Sequence, residues 1–401
     1  MVYQGNSKLG EYFSSRKEKG LSGLPVLSVT MNDGLVNRDD LNRKCESSLP
    51  PEKHLLVRRG DIAYNMMRMW QGASGRAEDD GIVSPAYVVL APRDNIDSMY
   101  ASYLFKSPKM IYLLWAYSYG ITGDRLRLYF PDFKIVPVSI PPLEVQKKIA
   151  RILFTWDKAI ECVNKRIANG KRLFSVVRQK LVTGEERLVG FTKEWESYRL
   201  QDLGETFTGL SGKTKEDFGS GKPYIPYMNI FSNGKICLDN FDLVNIGAGE
   251  KQNAVQYGDI FFTTSSEVPE EVGMASVFLD NVSELYLNSF CFGFRLNDFE
   301  LLLPDYARFL LRSDNIRRDI ASMAQGATRH NLSRKNLLQI VLKLPPKEEQ
   351  REIATKLSSF EEYLVALNGQ LNSLKSQRDA LVQKLLTGDD PFSNTTVSQT
   401  D

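Results

Sequence analysis

The chain contains itself twice, and the best-kept part of each copy has the spacing of a long helix with an apolar seam. Ile140-Pro141-Pro142, followed by Gln146, Ile149 and Ala150, returns as Leu344-Pro345-Pro346, followed by Gln350, Ile353 and Ala354. Gln179-Lys180-Leu181-Val182-Thr183-Gly184 returns as Gln383-Lys384-Leu385-Leu386-Thr387-Gly388. Both recurrences lie 204 residues apart, so nothing is inserted or lost across the stretch between them. Within it, apolar residues alternate in steps of four and three: Ile149, Leu153, Trp156, Ile160, Val163 and Ile167. The second copy has Ile353, Leu357, Phe360, Leu364, Leu367 and Leu371. Sustained four-three spacing is the seam of paired helices. At 1.5 Å per residue each helix runs about 60 Å. Loops drift in length easily, so the strict spacing marks helix length as the guarded property.

The repeat predicts an α+β protein of two tandem mixed α/β domains and two long helices. The helices pair as an antiparallel coiled coil with pseudo-two-fold symmetry, a rod with one mixed domain at each end. The expected boundaries are 1–142 for the first domain and 143–184 for the first helix. The second domain then takes 185–346, the second helix 347–388, and a disordered tail 389–401. Paired prolines open each helix, a place where proline is tolerated, and Gly184 and Gly388 stand as C-terminal stops. Gly170 and Arg378 interrupt the seams, which suggests thinning or a partner contact there.

The two mixed domains repeat less exactly. Leu9-Gly10-Glu11 corresponds to Leu203-Gly204-Glu205, and Gly60-Asp61-Ile62 to Gly258-Asp259-Ile260, each leading into a strand. A strand over Leu24–Val29 is matched with one over Tyr224–Ile230, followed by turns at Asn32-Asp33-Gly34 and Asn233-Gly234. A short helix over Tyr100–Leu104 matches one over Tyr306–Leu310.

Composition excludes more than it selects. Cys45, Cys162, Cys237 and Cys291 are scattered with no CxxC pair, which argues against a disulfide framework and fits a reducing cytoplasm. No apolar run approaches a membrane span. The only histidines are His54 and His330, which leaves almost no material for a histidine zinc site or a Ser-His triad. Gly209-Leu210-Ser211-Gly212-Lys213-Thr214 imitates a phosphate loop, but the place of its first glycine holds Phe207. No methyltransferase or nuclease motif appears, and no metal or cofactor is expected in this chain.

What remains are loops rich in side chains that read bases. The net charge is only +2, yet Gly326 to Lys343 carries Arg329, Arg334, Lys335 and Lys343 without one acid. The matching first-half segment carries Lys106, Lys109, Arg125, Arg127 and Lys134. A solvated face is the plain meaning of such a run; its repetition at matched places favours a polyanion. The first half offers Asn65, Arg68 and Gln71 around Trp70, with Tyr119, Arg125 and Arg127 near Gly120. The second offers Asn229, Ser232 and Asn233, then Thr263 and Ser265, then Thr328, Arg329, His330 and Asn331. Arginine suits guanine, asparagine and glutamine suit adenine, and hydroxyls hold phosphates.

These features resemble the specificity subunit of a type I restriction-modification system. The carriers are Ile140-Pro141-Pro142-Leu143-Glu144 with Gln146, Leu344-Pro345-Pro346 with Glu348-Glu349-Gln350, the two Lys-Leu-x-Thr-Gly endings, and Gly326-Ala327-Thr328 with Asn331-Leu332-Ser333. The first half departs at Gly120-Ile121-Thr122-Gly123-Asp124 and in having Val145 where the second has Glu349. The resemblance implies a non-catalytic subunit that reads an asymmetric bipartite site in double-stranded DNA, one domain per half-site. It further implies docking of adenine methyltransferase subunits, two of them, and of restriction subunits. S-adenosylmethionine, ATP and Mg2+ would belong to those partners. A protein-binding coiled-coil adaptor, or the specificity subunit of a methylation-only complex, stays open on the sequence.

Overall fold

The computed structural model describes residues 7–41, 49–123, 125–326 and 328–386. The expected tail and Gly388 lie outside them, as do Cys45, Asp124 and Ala327. Contacts divide the chain into two compact units, one running to Asn164 and resuming at Gly369, the other Lys165–Asn368. The division falls inside both long helices, Leu143–Thr183 and Lys347–Leu386. Each unit therefore holds one α/β domain, the half of one helix nearest to it in sequence, and the opposite half of the other.

The first unit stacks two four-stranded sheets. One runs Phe13–Arg16, Tyr87–Pro92, Ile62–Asn65, Ser74–Arg76, antiparallel throughout. The other runs Leu35–Asn37, Val26–Val29, Gly81–Val83, Leu55–Val57, with its central pair parallel. The second unit repeats this design. Gly204–Thr208, Cys291–Leu296, Ile260–Thr263 and Ala275–Val277 form its antiparallel sheet. Asp242–Val244, Phe218–Ile225 and Tyr286–Leu287 form a smaller sheet, again with one parallel pair. Central strands such as Ile260–Thr263 are buried along their whole length, as expected of apolar runs covered on both faces. Two short helices follow in each unit, Ser98–Leu104 with Pro108–Ala116, and Pro304–Leu310 with Asp314–Ser322.

One sequence expectation needs correction here. The second-half strand ends at Ile225, and Tyr227–Ser232 is a short helix begun by Pro226. Proline fixes a backbone angle suited to a helix start. Asn233 closes that helix, so Asn233-Gly234 is not a turn between strands. Asn32-Asp33-Gly34 does turn between strands, with Gly34 at φ +73°.

The helix halves belong to the domain cores. In the first unit Ile149 and Leu153 pack with Leu385 and Leu386 beneath Phe13, Phe105 and Phe133. In the second, Leu181 and Val182 pack with Ile353 and Leu357 beneath Phe262, Phe292 and Tyr306. The start of one helix thus meets the end of the other in both units, an antiparallel pairing. Val163, Ile167, Leu364, Leu367 and Leu371 are buried, while Trp156, Ile160 and Phe360 are half-buried. Gly170 marks thinning: a Cβ there would stand 2.8 Å from a Leu364 methyl. Arg378 is held within its unit by Asp157 at 3.0 Å, which also accepts the Tyr103 hydroxyl at 2.6 Å. At the corresponding joint of the second unit Phe174 stands between Phe360 and Phe309, at 5.5 and 6.4 Å.

The repeated glutamine explains the repeated helix heads. Gln146 donates to the carbonyls of Asn95 and Pro141 and accepts from Asp97 N–H at 2.8 Å. Gln350 donates to those of Leu301 and Pro345 and accepts from Leu303 N–H at 2.9 Å. Each buried amide is fully satisfied and ties the helix start to the loop before the short helix pair. The second helix has a further tie: Glu349, wholly buried, takes two hydrogen bonds from Arg187, both at 2.7 Å, and one from Trp195 Nε1 at 3.1 Å.

Candidate nucleic-acid interface

Both domains build one arrangement from two segments: the chain leaving the central strand, and a hairpin after the helix pair. In the first domain the Asn65 side chain accepts from Met67 N–H at 3.0 Å and turns the chain. A single helical turn, Met69–Gln71, follows and ends at Gly72 in the left-handed region, φ +86°. Met69 is buried, which leaves Met67, Arg68 and Gln71 outward. The hairpin closes through reciprocal Tyr119 and Arg127 backbone bonds, 3.1 and 3.0 Å. A Cβ at Gly120 would lie 2.2 Å from the Arg125 carbonyl, so this turn needs glycine. Leu128 N–H donates to the Met66 carbonyl at 2.9 Å and joins the segments.

Between them lies a recess of about 390 Å³ lined by Met67, Arg68, Trp70, Gln71, Arg125 and Arg127. Four of the residues expected to read bases therefore come together. Trp70 makes a wall, its indole N–H spent on the Met67 carbonyl at 2.9 Å. Tyr119 stands apart, exposed and bonded to Asp132 at 2.8 Å, which holds its phenol above the ordinary pKa.

The second domain has the same wiring. Ser265–Ser266 pairs with His330–Asn331, Gln325 and Asn331 exchange backbone bonds, and Leu332 N–H donates to the Thr264 carbonyl. Gly326 stands at φ +130°, where a Cβ would lie 2.1 Å from the Arg329 carbonyl. Tyr100 and Tyr306 correspond at an offset of 206, Leu128 and Leu332 at 204. The two-residue difference is absorbed in the hairpin, which runs nine residues from Tyr119 to Arg127 but seven from Gln325 to Asn331. Thr328, Arg329 and Asn331 are exposed and His330 is half-buried.

Three second-half expectations meet a different environment. Asn229 is buried, with its amide donating to the Cys237 and Asn240 carbonyls and accepting from Cys237 N–H. Asn233 donates back to Asn229 at 2.9 Å. Thr263 is buried and its hydroxyl accepts from Met274 N–H at 2.9 Å. Asn229 and Thr263 shape the domain from within, and half-buried Asn233 spends its amide N–H groups on Asn229. Ser232 is exposed at the end of its helix, and Ser265 is half-buried.

Sequence reasoning missed the supports. Arg312 donates to the carbonyls of Ala275, Ile230 and Phe231, and Arg317 to those of Glu270, Val272 and Gly273. Burial pulls both guanidinium pKa values down to about 10. Arg317 staples the loop between Ser266 and Ala275, and Arg312 ties the helix Tyr227–Ser232 to the strand at Ala275. The phosphate-loop look-alike is closed, because Lys213 pairs with Glu250 and with the Asn245 carbonyl at 2.6 Å. Among the described residues no His, Cys, Asp and Glu cluster could hold a metal, and no helix is long and apolar enough to cross a membrane.

Comparison with known proteins decides the family. The model of the type I restriction modification DNA specificity domain matches twice, over residues 7–169 and 192–375, one match per repeat. The chain belongs to this family. It is the DNA specificity subunit of a type I restriction-modification system, and such subunits are non-catalytic. The MjaVIII specificity subunit of Methanocaldococcus jannaschii is 24% identical over 371 residues, covering 84% of this chain and 80% of that one. The EcoKI specificity subunit of Escherichia coli is 23% identical over 313 residues, covering 74% and 66%. The fold of the specificity subunit matches the HsdS subunit of Thermoanaerobacter tengcongensis with a TM-score of 0.54 at 16% identity, over 95% and 96% of the chains. It also matches the S subunit of M. genitalium, with a TM-score of 0.53 at 17% identity, over 94% of each.

Proposed function

We propose that each α/β domain reads one half of an asymmetric bipartite DNA target through its central-strand loop and its hairpin. The observation that carries this reading is one backbone arrangement built twice and furnished with different side chains. In the first domain Arg68, Gln71, Arg125 and Arg127 share one recess whose described lining has no carboxylate. Guanidinium and amide groups match the acceptor edges of purines, and guanidinium equally matches phosphate. In the second domain Ser265, Thr328, Arg329, His330 and Asn331 occupy the corresponding segments.

In this reading the paired helices set the unread gap and dock the adenine methyltransferase subunits, two per specificity subunit, with restriction subunits completing the cytoplasmic complex. S-adenosylmethionine serves the methyltransferases; ATP and Mg2+ serve the restriction subunits.

Arg125→Ala and Arg329→Ala in the assembled complex, assayed by filter binding with salt titration, test the assignment. Loss of a base contact weakens the cognate site by about 1–3 kcal/mol and relaxes one position. Loss of a phosphate contact weakens all sequences alike and flattens the salt slope by about one unit. Unchanged affinity and unchanged salt slope in both variants would contradict the reading.

A further inference from the structure

The second domain has a recess of another chemistry beside its reading segments. Phe218, Tyr224, Pro226, Tyr227, Asn288, Ser289 and Phe290 line an open recess of about 310 Å³. One wall depends on a break in register: Phe218 and Lys222 both face Val244, and the chain between them is Gly219-Ser220-Gly221. Both glycines stand at φ +105°, and a Cβ on Gly221 would lie 2.5 Å from the Val244 carbonyl. Only glycine takes this bulge without strain. The bulge swings Phe218 back against Tyr224, edge-on, with centroids 5.5 Å apart.

The facing wall is held as firmly. Asn288 donates to the Ile225 carbonyl at 2.9 Å and accepts from Phe290 N–H at 2.8 Å. The Phe290 carbonyl accepts from both the N–H and the hydroxyl of Thr264. The peptide is fixed on both sides, yet Phe290 is 66% exposed. Tyr227 donates to the Ser265 carbonyl at 3.1 Å, which joins the recess to the strand paired with His330–Asn331. Exposed Phe218 and Phe290 border one recess, and contiguous exposed aromatic surface is what a binding site presents.

From this geometry we infer that the recess receives the C5-methyl edge of a thymine in the half-site read by the second domain. The inference rests on the proposal that the second domain reads DNA through the Ser265–Ser266 strand and the adjoining hairpin. The recess is continuous with those segments, as the cationic recess is with their counterparts in the first domain. The Tyr224 phenol is bonded to Asp242, the Tyr227 phenol to Ser265, and the Asn288 amide is engaged at both ends. What these walls offer besides the exposed Ser289 is aromatic surface, and of the bases facing the major groove only thymine offers a methyl group to pack against it.

Deoxyuridine removes that methyl and nothing else. Once methylome sequencing has fixed the target, each thymine is replaced in turn by deoxyuridine, and binding is measured for the complex with its methyltransferase partners. One position in the second half-site should lose about three- to fivefold in affinity, the value of one buried methyl. Phe290→Ala should erase the difference between thymine and uracil at that position while leaving the penalties of first-half-site changes intact. If no thymine of the second half-site is sensitive, or if Phe290→Ala leaves the sensitivity unchanged, the inference is overturned; the wild-type scan decides even if the variant does not assemble. Equal binding to target and scrambled DNA by the wild-type complex is a separate result, and it would overturn the half-site reading instead.

Discussion

Arg187→Ala should destabilise the second unit by about 1–3 kcal/mol, the cost of leaving a buried carboxylate short of hydrogen-bond donors, because Glu349 is wholly buried while Arg187 itself is 28% exposed. Glu349 is wholly buried on the first turn of the second long helix, and both its oxygens receive N–H groups of Arg187. The guanidinium also lies over the Trp195 ring at 5.4 Å. Without it the carboxylate keeps only the Trp195 indole N–H at 3.1 Å. Urea unfolding of the specificity subunit, wild type against variant, measures the effect. The double variant Arg187→Met/Glu349→Leu should recover much of the loss, because it removes the buried charge along with its partner. A single-variant loss below about 1 kcal/mol, the scale of a surface ion pair, would contradict this account of the tie.

Adding one heptad to both long helices should change the unread gap of the target and leave both half-sites as they were. Seven residues restore the seam pattern, so apolar positions stay paired with apolar positions. They add about 10 Å of helix, the length of about three base pairs of B-DNA. The insertion belongs between Gly170 and Phe174 and at the matching place in the second helix, clear of the residues that enter the domain cores. Methylome sequencing of cells carrying the variant reads the new target. An unchanged gap would refute helix length as its determinant.

Much of this was legible in the sequence because repetition and helical periodicity are local signals. The offset of 204 marks both long helices, and the four-three spacing names seam residues that are buried except for half-buried Trp156, Ile160 and Phe360. Arg68, Gln71, Arg125 and Arg127 stood out as polar residues in glycine-punctuated loops, and the structure gathers them in one recess. What stayed hidden depends on contacts between distant segments. Glu349 finds Arg187 162 residues away, and Gln146 and Gln350 find carbonyls about fifty residues back. Asn229 looked like an adenine reader, but the helix begun by Pro226 turns it inward onto Cys237 and Asn240. The aromatic recess had a sequence signal that went unread: Phe218-Gly219-Ser220-Gly221 places two glycines where an ordinary strand tolerates them poorly.

The central claim is that two separable readers each specify half of the target. Exchange of one α/β domain with that of a relative tests it most directly, joining the chains beside Pro141 or Pro345 so that both long helices stay intact. Methylome sequencing of cells expressing the hybrid with its methyltransferase partners should show one half-site retained and the other replaced, at the original spacing. A soluble, assembled hybrid that loses both half-sites, or that keeps both, would contradict it.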